Sequence, residues 1–213
     1  MNAFIFLNGK KSSAQFYRKQ FETFHEEQDA VICADGGYKL AEQSGVRPNL
    51  IVGDLDSLQI EQIEKGIEVR RYPVNKDFSD FELAMQAAQE MAPEWIYVYG
   101  ALGGRIDHEL TNILLLASVK HPTVFIEDGL EIYGVYESLV LRGRKNCLCS
   151  LLSLGGPCHV KEIHGFEYAL KDELLYPSSR GLSNIITEDE ATISLISGSL
   201  IAVVNMLVNT GEN

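Results

Sequence analysis

Six aspartates follow short apolar segments of this 213-residue chain, and their positions are its main indication of chemistry. They are Asp35, Asp54, Asp56, Asp77, Asp80 and Asp107. In a parallel sheet, all six would lie beyond the carboxyl ends of strands, the edge at which open α/β proteins bind ligands. Two carboxylates about 4 Å apart repel by about 1 kcal/mol in water and about 4 kcal/mol at a protein surface. Such a cluster needs protons or a cation, and its oxygen ligands favour Mg²⁺ or Mn²⁺ together with substrate phosphates.

Each acid also has a purely structural interpretation. The segment from Asp54 to Ser57 is typical of a turn and N-cap before a helix at Leu58. Asp80, Glu82 and Asp107 stand in predicted first helical turns, where acids interact favourably with the helix dipole. These local roles leave unexplained why all six aspartates fall at one edge.

Two glycine-rich segments, Asp35-Gly36-Gly37 and the segment from Gly100 to Arg105, each join a predicted strand to a predicted helix. Glycine permits close backbone approach, and helix N-termini present free N–H groups to anions. Neither segment is a GxGxxG or Walker A motif, and tight-turn packing explains each as well as phosphate binding does. Arg105 strengthens the second segment, since a guanidinium binds phosphate oxygens bidentately. Lys76 is a second candidate cation, although a solvated lysine is its default interpretation.

Residues 1–128 alternate strand and helix patterns, which predicts a mostly parallel sheet with helices on both faces. The predicted strands are Ala3 to Leu7, Ala30 to Ala34, Leu50 to Val52, Glu68 to Tyr72, Trp95 to Tyr99 and Thr123 to Ile126. Predicted helices run to about Glu27, from Tyr38 to Ser44, from an N-cap at Ser79, and over the stripe from Ile106 to Ala117.

Residues 129–213 are β-rich and without a convincing helix, which predicts a small all-β sandwich domain. The predicted strands are Ile132 to Val140, Leu148 to Leu154, Glu167 to Leu170, Ala191 to Ile196 and Leu200 to Val208.

The composition restricts the kinds of molecule and surface that the protein is expected to bind. Eighteen basic residues against 30 acidic ones give a formal charge of -12, which argues against a nucleic-acid or anionic membrane surface. No apolar run approaches the roughly 20 residues that span a bilayer, and the start of the chain lacks a signal peptide's basic region. Four cysteines without zinc spacing are typical of free thiols in a reducing cytoplasm.

An ordered set of motifs across nearly the whole chain resembles the thiamine pyrophosphokinase family. It comprises Asp35-Gly36-Gly37, Gly53-Asp54-Leu55-Asp56-Ser57, Lys76-Asp77-Phe78-Ser79-Asp80-Phe81-Glu82, the segment Gly100 to His108 with Asn112, Gly165-Phe166-Glu167-Tyr168 and Ser178 to Asn184. Ser79 and Ala169 depart from the family's usual Thr and Pro.

The resemblance implies an enzyme that moves the diphosphate of ATP to the hydroxyethyl oxygen of thiamine and releases AMP. It implies a nucleotide- and Mg²⁺-binding catalytic domain over residues 1–128, a thiamine-binding sandwich over 129–213, and a homodimer with thiamine between the α/β domain of one subunit and the sandwich of the other. The implied sites are Asp54, Asp56, Asp77 and Asp80 for the metal and catalysis, with Arg105; Asp35, Gly36, Gly37, Lys76, Gly103, Gly104, Arg105 and Asp107 for ATP; and Tyr168, Ser183 and Asn184 for thiamine.

In-line transfer to a hydroxyl depends on positioning and charge neutralisation rather than on a covalent intermediate. Either Asp77 or Asp80 could accept the hydroxyl proton. Two other functions use the same residues: a non-catalytic sensor of thiamine or nucleotide, and a metal-dependent phosphohydrolase that does not need thiamine.

Overall fold

The computed structural model describes residues 1–56 and 63–206, which fall into two compact units. The first unit comprises Met1–Asn112 and Phe125–Asp128, and the second comprises Ile113–Val124 and the chain from Gly129 onward. Among the described residues, no helix is long and apolar enough to cross a membrane. The elements are β1 (Ala3–Phe6), α1 (Ala14–Phe24), β2 (Ala30–Ala34), α2 (Gly37–Gln43), β3 (Leu50–Gly53), β4 (Glu68–Arg71), α3 (Asp80–Glu90), β5 (Ile96–Tyr99), α4 (Ile106–Ser118), β6 (Thr123–Glu127), β7 (Leu130–Val135), β8 (Ser138–Arg142), β9 (Leu148–Leu152), β10 (Cys158–His164), β11 (Lys171–Leu175), β12 (Asn184–Ile185), β13 (Glu190–Ser197) and β14 (Leu200–Asn205).

The sheet of the first unit is parallel, with strand order β4-β3-β2-β1-β5. β1 lies inside it, and Phe4 stands opposite Val31 on one side and Tyr97 on the other. Every residue of β1, β2 and β3 is buried, because strands covered on both faces must be apolar throughout. The edge strand β4 is charged and largely exposed instead. Since all five strands run the same way, the loops after them gather at one edge.

The helices that pack on the sheet hold these loops in place. α1 packs on β1, where the ring of Phe21 lies 5.0 Å from that of Phe4 in an edge-to-face arrangement. α3 begins as predicted, with Ser79 as its N-cap: the Ser79 hydroxyl accepts a hydrogen bond from the Glu82 backbone N–H at 3.1 Å. α3 then buries an apolar face against β1, β2 and β3. The cap therefore fixes Asp80, the first residue of α3, near the carboxyl ends of those strands.

The second unit contains two antiparallel groups of strands, in the orders β12-β9-β14-β7 and β11-β10-β13-β8. Their alternation is plain in β8, where Leu139 and Leu141 are buried and their neighbours are exposed. No helix follows α4 in the described part of the chain. The protein is thus mixed α/β, with a parallel sheet in the first unit and antiparallel strands in the second, and the expected fold class is confirmed.

Two strand predictions in the second unit are wrong. The segment from Ile132 to Val140 is not one strand, because the chain leaves β7 at Val135 and enters β8 in the other sheet at Ser138. The two residues between these strands, Tyr136 and Glu137, are neither glycine nor proline. The strand predicted over Glu167 to Leu170 begins instead at Lys171, because the backbone of the earlier segment bonds to the side chain of Asn184.

Strand β10 has no counterpart among the predicted strands. Its register shifts between His159 and Val160 and again between Val160 and Glu162. These irregularities put the buried Val160 and Ile163 three residues apart, so the period-two pattern of a strand is lost. The last predicted strand ends in the structure at Asn205, and Val208 lies outside the described residues.

Candidate active site

Three carboxylates meet at the carboxyl ends of β2 and β3. Asp35 follows β2, and Asp54 and Asp56 follow β3. One oxygen from each lies within 4.8 Å of one from each of the others. Asp35 and Asp54 are half-buried, whereas Asp56 is exposed. The edge of the sheet therefore collects negative charge as the sequence predicts.

The backbone after β3 explains why the carboxylates can approach so closely. Gly53 has a φ of 145°, and a Cβ there would lie 3.1 Å from the Asp35 Cβ and 3.2 Å from an Asp80 carboxylate oxygen. Leu55 has a φ of 63° and is only 4 % exposed, so it anchors the loop in the core. Asp54 and Asp56 flank this anchor, and the Asp56 N–H donates to Asp54 Oδ1 at 3.0 Å. That bond fixes the loop after Gly53, while Asp35 and Asp80 leave little room for a side chain at Gly53 itself.

Lys76 supplies the positive charge beside this cluster. Its Nζ lies 2.9 Å from Asp80 Oδ1 and 3.4 Å from Asp54 Oδ2, and its side chain is only 12 % exposed. Burial lowers the pKa of Lys76, but the bonds to Asp80 and Asp54 outweigh it and raise that pKa. The default interpretation of Lys76 as a solvated lysine is therefore wrong.

The two aspartates bound to Lys76 are shifted in opposite directions. The Asp56 N–H, opposed by burial and assisted by Lys76, lowers the pKa of Asp54. Burial raises the pKa of Asp80, and Lys76 offsets only part of that rise. Asp80 is thus the more basic of the two carboxylates.

The donor set fits a divalent cation. Mg²⁺ prefers carboxylate oxygens and keeps sites for water or phosphate, and Asp35, Asp54 and Asp56 offer converging oxygens on a partly exposed edge. Asp80 lies next to them through its contact with Lys76. Asp77 is exposed and stands outside the converging group among the described residues. Ser57, which closes the motif after Asp56, lies outside the described residues.

A cavity of about 500 Å³ opens beside the carboxylates in the first unit. Its size is typical of a pocket for a small molecule. Asp35, Lys76 and Asp80 form part of one wall. The other lining residues are Leu7, Asn8, Gly9, Lys10, Ala34, Gly36, Val74, Phe78, Ser79, Phe81, Gly100, Ala101, Gly104, Arg105, His108, Glu109 and Asn112. Acidic and basic groups thus share one cavity, an arrangement suited to a ligand that carries phosphate and metal.

The glycines predicted to hold phosphate divide into two kinds. A Cβ on Gly37 would lie 2.0 Å from the Phe6 carbonyl oxygen, and one on Gly103 would lie 2.2 Å from the Lys11 backbone nitrogen. These two glycines are therefore required by backbone packing. Gly36 and Gly104 line the cavity instead, and a Cβ on Gly104 would meet nothing within 4 Å.

Arg105 is 74 % exposed and lies at the cavity wall. Its guanidinium contacts the Asp107 carboxylate in two places, at 2.6 and 3.1 Å. Arg105 lowers the pKa of Asp107, and Asp107 points to this contact rather than into the cavity wall. The structure therefore brings Arg105 to the cavity wall, whereas Asp107 is not among the residues that line the cavity.

Two charged residues of the cavity wall and one buried carboxylate were not singled out from the sequence. Lys10 lines the cavity from the loop after β1, and Glu109 lines it from α4. Glu127, at the end of β6, is fully buried and accepts hydrogen bonds from Ser12 and Tyr17. The loop after β1 ends at the same edge as the aspartates, so its position was the one signal that could have indicated Lys10.

The residues expected to contact thiamine lie in the second unit. Tyr168 is 63 % exposed. Asn184 is buried and bonds to the Tyr168 backbone on both sides: Oδ1 accepts from its N–H at 3.0 Å and Nδ2 donates to its carbonyl at 2.7 Å. Ser183 is exposed, has a φ of 58°, and donates its N–H to the Ser150 hydroxyl. Asn184 therefore positions Tyr168, while Tyr168 and Ser183 face solvent.

Two family models match the chain. "Thiamin pyrophosphokinase, catalytic domain" matches residues 21–126, and "Thiamin pyrophosphokinase, vitamin B1 binding domain" matches residues 138–200. Together they span most of the sequence in the order seen here.

Individual relatives agree. A thiamine pyrophosphokinase of Bacillus subtilis is 27 % identical over 191 residues, which cover 84 % of this chain and 89 % of the relative. Thiamine pyrophosphokinase 1 of Oryza sativa subsp. japonica is 27 % identical over 165 residues, covering 70 % and 62 %.

Solved structures share the fold. Thiamine pyrophosphokinase from Bacillus subtilis superposes with a TM-score of 0.80 at 24 % identity, over 96 % of this chain and 99 % of that one. The enzyme from Candida albicans gives 0.73 at 17 % identity, over 96 % and 88 %. With both family models matched in order over the observed fold, this chain belongs to the thiamine pyrophosphokinase family, the enzymes that transfer diphosphate from ATP to thiamine.

Proposed function

We propose that this chain carries out the family's reaction at the cavity of the first unit, taking the diphosphate of ATP to the hydroxyethyl oxygen of thiamine and releasing AMP. The observation that carries this proposal is the wall shared by Asp35, Lys76 and Asp80, with Arg105 and Gly104 on the same cavity. A triphosphate needs cationic and N–H groups, and its metal needs carboxylates. The cavity offers both.

Asp35, Asp54 and Asp56 would hold a Mg²⁺ or Mn²⁺ ion, with Asp80 beside them. When bound, the metal supplies charge neutralisation for the phosphate oxygens and the leaving AMP. Asp77 stays a candidate ligand of the family motif, although its exposed position supports the role less directly.

The chain's own cations would orient the phosphates. Lys76 is held within the carboxylate group, and Arg105 stands exposed at the wall with its guanidinium free to extend beyond the contact with Asp107. Gly36 and Gly104 line the same cavity. These groups would fix the phosphate chain for in-line attack, because positioning supplies most of the catalysis in such transfers.

Asp80 is the better supported acceptor of the thiamine hydroxyl proton. It lines the cavity, and burial raises its pKa, which strengthens it as a base. Asp77 is exposed and is not part of the cavity wall. The proton would pass from the hydroxyl to an Asp80 carboxylate oxygen as the oxygen attacks phosphorus.

Thiamine would be bound by the second unit. The exposed ring of Tyr168 can stack on the cationic thiazolium, and Ser183, which directly precedes Asn184, is exposed and offers a hydroxyl. We propose a homodimer in which a partner supplies these residues. Support comes from α4, where Ile106, Leu110 and Leu114 recur every fourth residue and are each more than half exposed.

A cytoplasmic location completes the proposal. All four cysteines are free and buried, as expected in a reducing compartment.

The deciding experiment measures AMP release from ATP and Mg²⁺ with and without thiamine, and weighs the product by mass spectrometry. Thiamine-dependent AMP and a product two phosphates heavier than thiamine are expected. ATP breakdown that ignores thiamine would indicate a phosphohydrolase, and ligand binding without turnover would indicate a sensor.

Asp54→Asn tests the assignment of the site. It should lower turnover by about 100-fold or more while the fold is retained, because it removes one converging carboxylate. Asp189→Asn, which removes an exposed carboxylate of the second unit, is the matched control and should match the wild type. Equal activity of the two variants would refute the assignment.

A further inference from the structure

The carboxylate of Glu109 occupies two of the N–H groups that line the approach to the cavity. Its Oε1 accepts hydrogen bonds from the Gly103 N–H at 2.8 Å and the Gly104 N–H at 2.7 Å. Both residues precede α4, which begins at Ile106, so their N–H groups have no acceptor within the helix. One carboxylate oxygen with two backbone donors is also how a phosphate oxygen is bound in anion-binding loops.

Gly104 lies where a ligand can approach. It lines the cavity, its φ is outside the left-handed region, and a Cβ would meet nothing within 4 Å. Packing and backbone conformation therefore do not require glycine at this position, in contrast to Gly103. The space beside the Gly104 Cα is therefore open, next to the amide that Glu109 occupies.

Glu109 can leave without disturbing the fold. Its backbone is fixed in α4, where its N–H donates to the Arg105 carbonyl at 3.0 Å. Its side chain is only partly buried and lines the cavity. A rotation of that side chain is enough to free both amides.

We infer that Glu109 acts as an internal competitor for ATP: its carboxylate holds the Gly103 and Gly104 amides in the nucleotide-free chain and is displaced when a phosphate oxygen takes them. This inference rests on the proposed function, since it requires ATP in this cavity. Both anions cannot share the two donors, and like charges at contact distance repel. The apparent dissociation constant for ATP then equals the intrinsic one divided by the fraction of molecules in which Glu109 has released the two amides.

The test measures binding of α,β-methylene-ATP with Mg²⁺ by calorimetry and steady-state kinetics with thiamine. Glu109→Ala removes the competitor, whereas Glu109→Gln keeps a neutral acceptor for the amides. We expect the dissociation constant to fall by about three- to tenfold in Glu109→Ala and by less in Glu109→Gln, and the KM for ATP to fall in the same order. Glu90→Gln, which removes an exposed carboxylate from the last turn of α3, should bind the analogue like the wild type.

The opposite order would overturn the inference. If Glu109→Ala binds the analogue more weakly and Glu109→Gln restores binding, Glu109 organises the loop for ATP instead of competing with it. Unchanged affinity in both variants would also refute the competition. Failure of the proposed function is distinguishable, because the wild type itself would then neither bind the analogue nor form AMP with thiamine.

Discussion

The phenol of Tyr17 donates a hydrogen bond of 2.5 Å to Oε2 of Glu127, and both side chains are completely buried. The Ser12 hydroxyl donates to the same oxygen, also at 2.5 Å, and the Leu102 N–H approaches Oε1 at 3.4 Å. One carboxylate thereby joins α1, the loop after β1 and the loop after β5. The two loops carry Lys10 and the glycines of the cavity wall, so the hydrogen bonds of Glu127 stabilise the position of that wall.

We expect Glu127→Ala to lower the free energy of unfolding by about 3 kcal/mol, because it leaves the buried Tyr17 hydroxyl and the partly buried Ser12 hydroxyl without this acceptor and opens a cavity. Tyr17→Phe removes only one donor and should cost about 1 kcal/mol. Urea denaturation measures both.

Glu22→Ala is the matched control, since it removes an exposed carboxylate on the outer side of α1. Its effect should stay within about 0.5 kcal/mol. Equal stability of Glu127→Ala and Glu22→Ala would mean that the buried cluster does not hold the loops.

The pH dependence of stability should also carry the signature of Glu127. Burial raises the pKa of Glu127 above its ordinary value of 4.5. The folded chain then binds this proton more tightly than the unfolded chain does. The stabilisation is fully present below pH 4.5 and is lost as the pH rises through the raised pKa.

Glu127→Gln does not titrate, so subtracting its unfolding free energy isolates this group from Asp54 and Asp80. The difference, wild type minus variant, should fall between pH 4.5 and the raised pKa and stay flat above it. A difference that rises with pH over this window would contradict the burial of an ionisable Glu127.

The sequence predicts the site's edge well, because parallel strands end at the same side and their following aspartates must gather there. Asp35, Asp54 and Asp56 meet for that reason. The sequence does not indicate contacts between residues that are far apart along the chain. Lys76 lies 22 residues from Asp54, and Glu127 lies 110 residues from Tyr17. Nothing local in the sequence indicates either pair, since each arises only when the loops pack.

Lys76→Met tests whether the ammonium offsets the charge of the aspartates. Removing it leaves Asp54 and Asp80 facing each other without a cation, so we expect the free energy of unfolding to fall by about 1–3 kcal/mol at pH 7 in the presence of a chelator. Added Mg²⁺ should stabilise this variant more than the wild type, because the negative charge of the two aspartates is no longer offset by Lys76 and favours a bound cation.

Lys120→Met, a change at an exposed lysine after α4, is the control and should respond to Mg²⁺ like the wild type. If Mg²⁺ stabilises Lys76→Met no more than Lys120→Met, the Lys76 ammonium does not compete with the metal for these carboxylates. If Mg²⁺ stabilises neither variant nor the wild type, the carboxylates do not bind the metal as proposed.

Asn184 should act on thiamine through Tyr168. Its side chain makes three hydrogen bonds, two to the Tyr168 backbone and one from the Ile185 N–H at 2.9 Å. Asn184→Ala removes all three in a buried position, so we expect a loss of about 2–3 kcal/mol in unfolding free energy. The KM for thiamine should rise several-fold, while the KM for ATP changes little.

Tyr168→Ala separates position from contact. Tyr168 is exposed, so this variant should keep the stability of the wild type within about 0.5 kcal/mol and still raise the KM for thiamine. Both variants then raise the KM for thiamine, but only Asn184→Ala also lowers the free energy of unfolding. An unchanged KM for thiamine in Tyr168→Ala would remove Tyr168 from the thiamine site, and the bonds of Asn184 would then serve the fold alone.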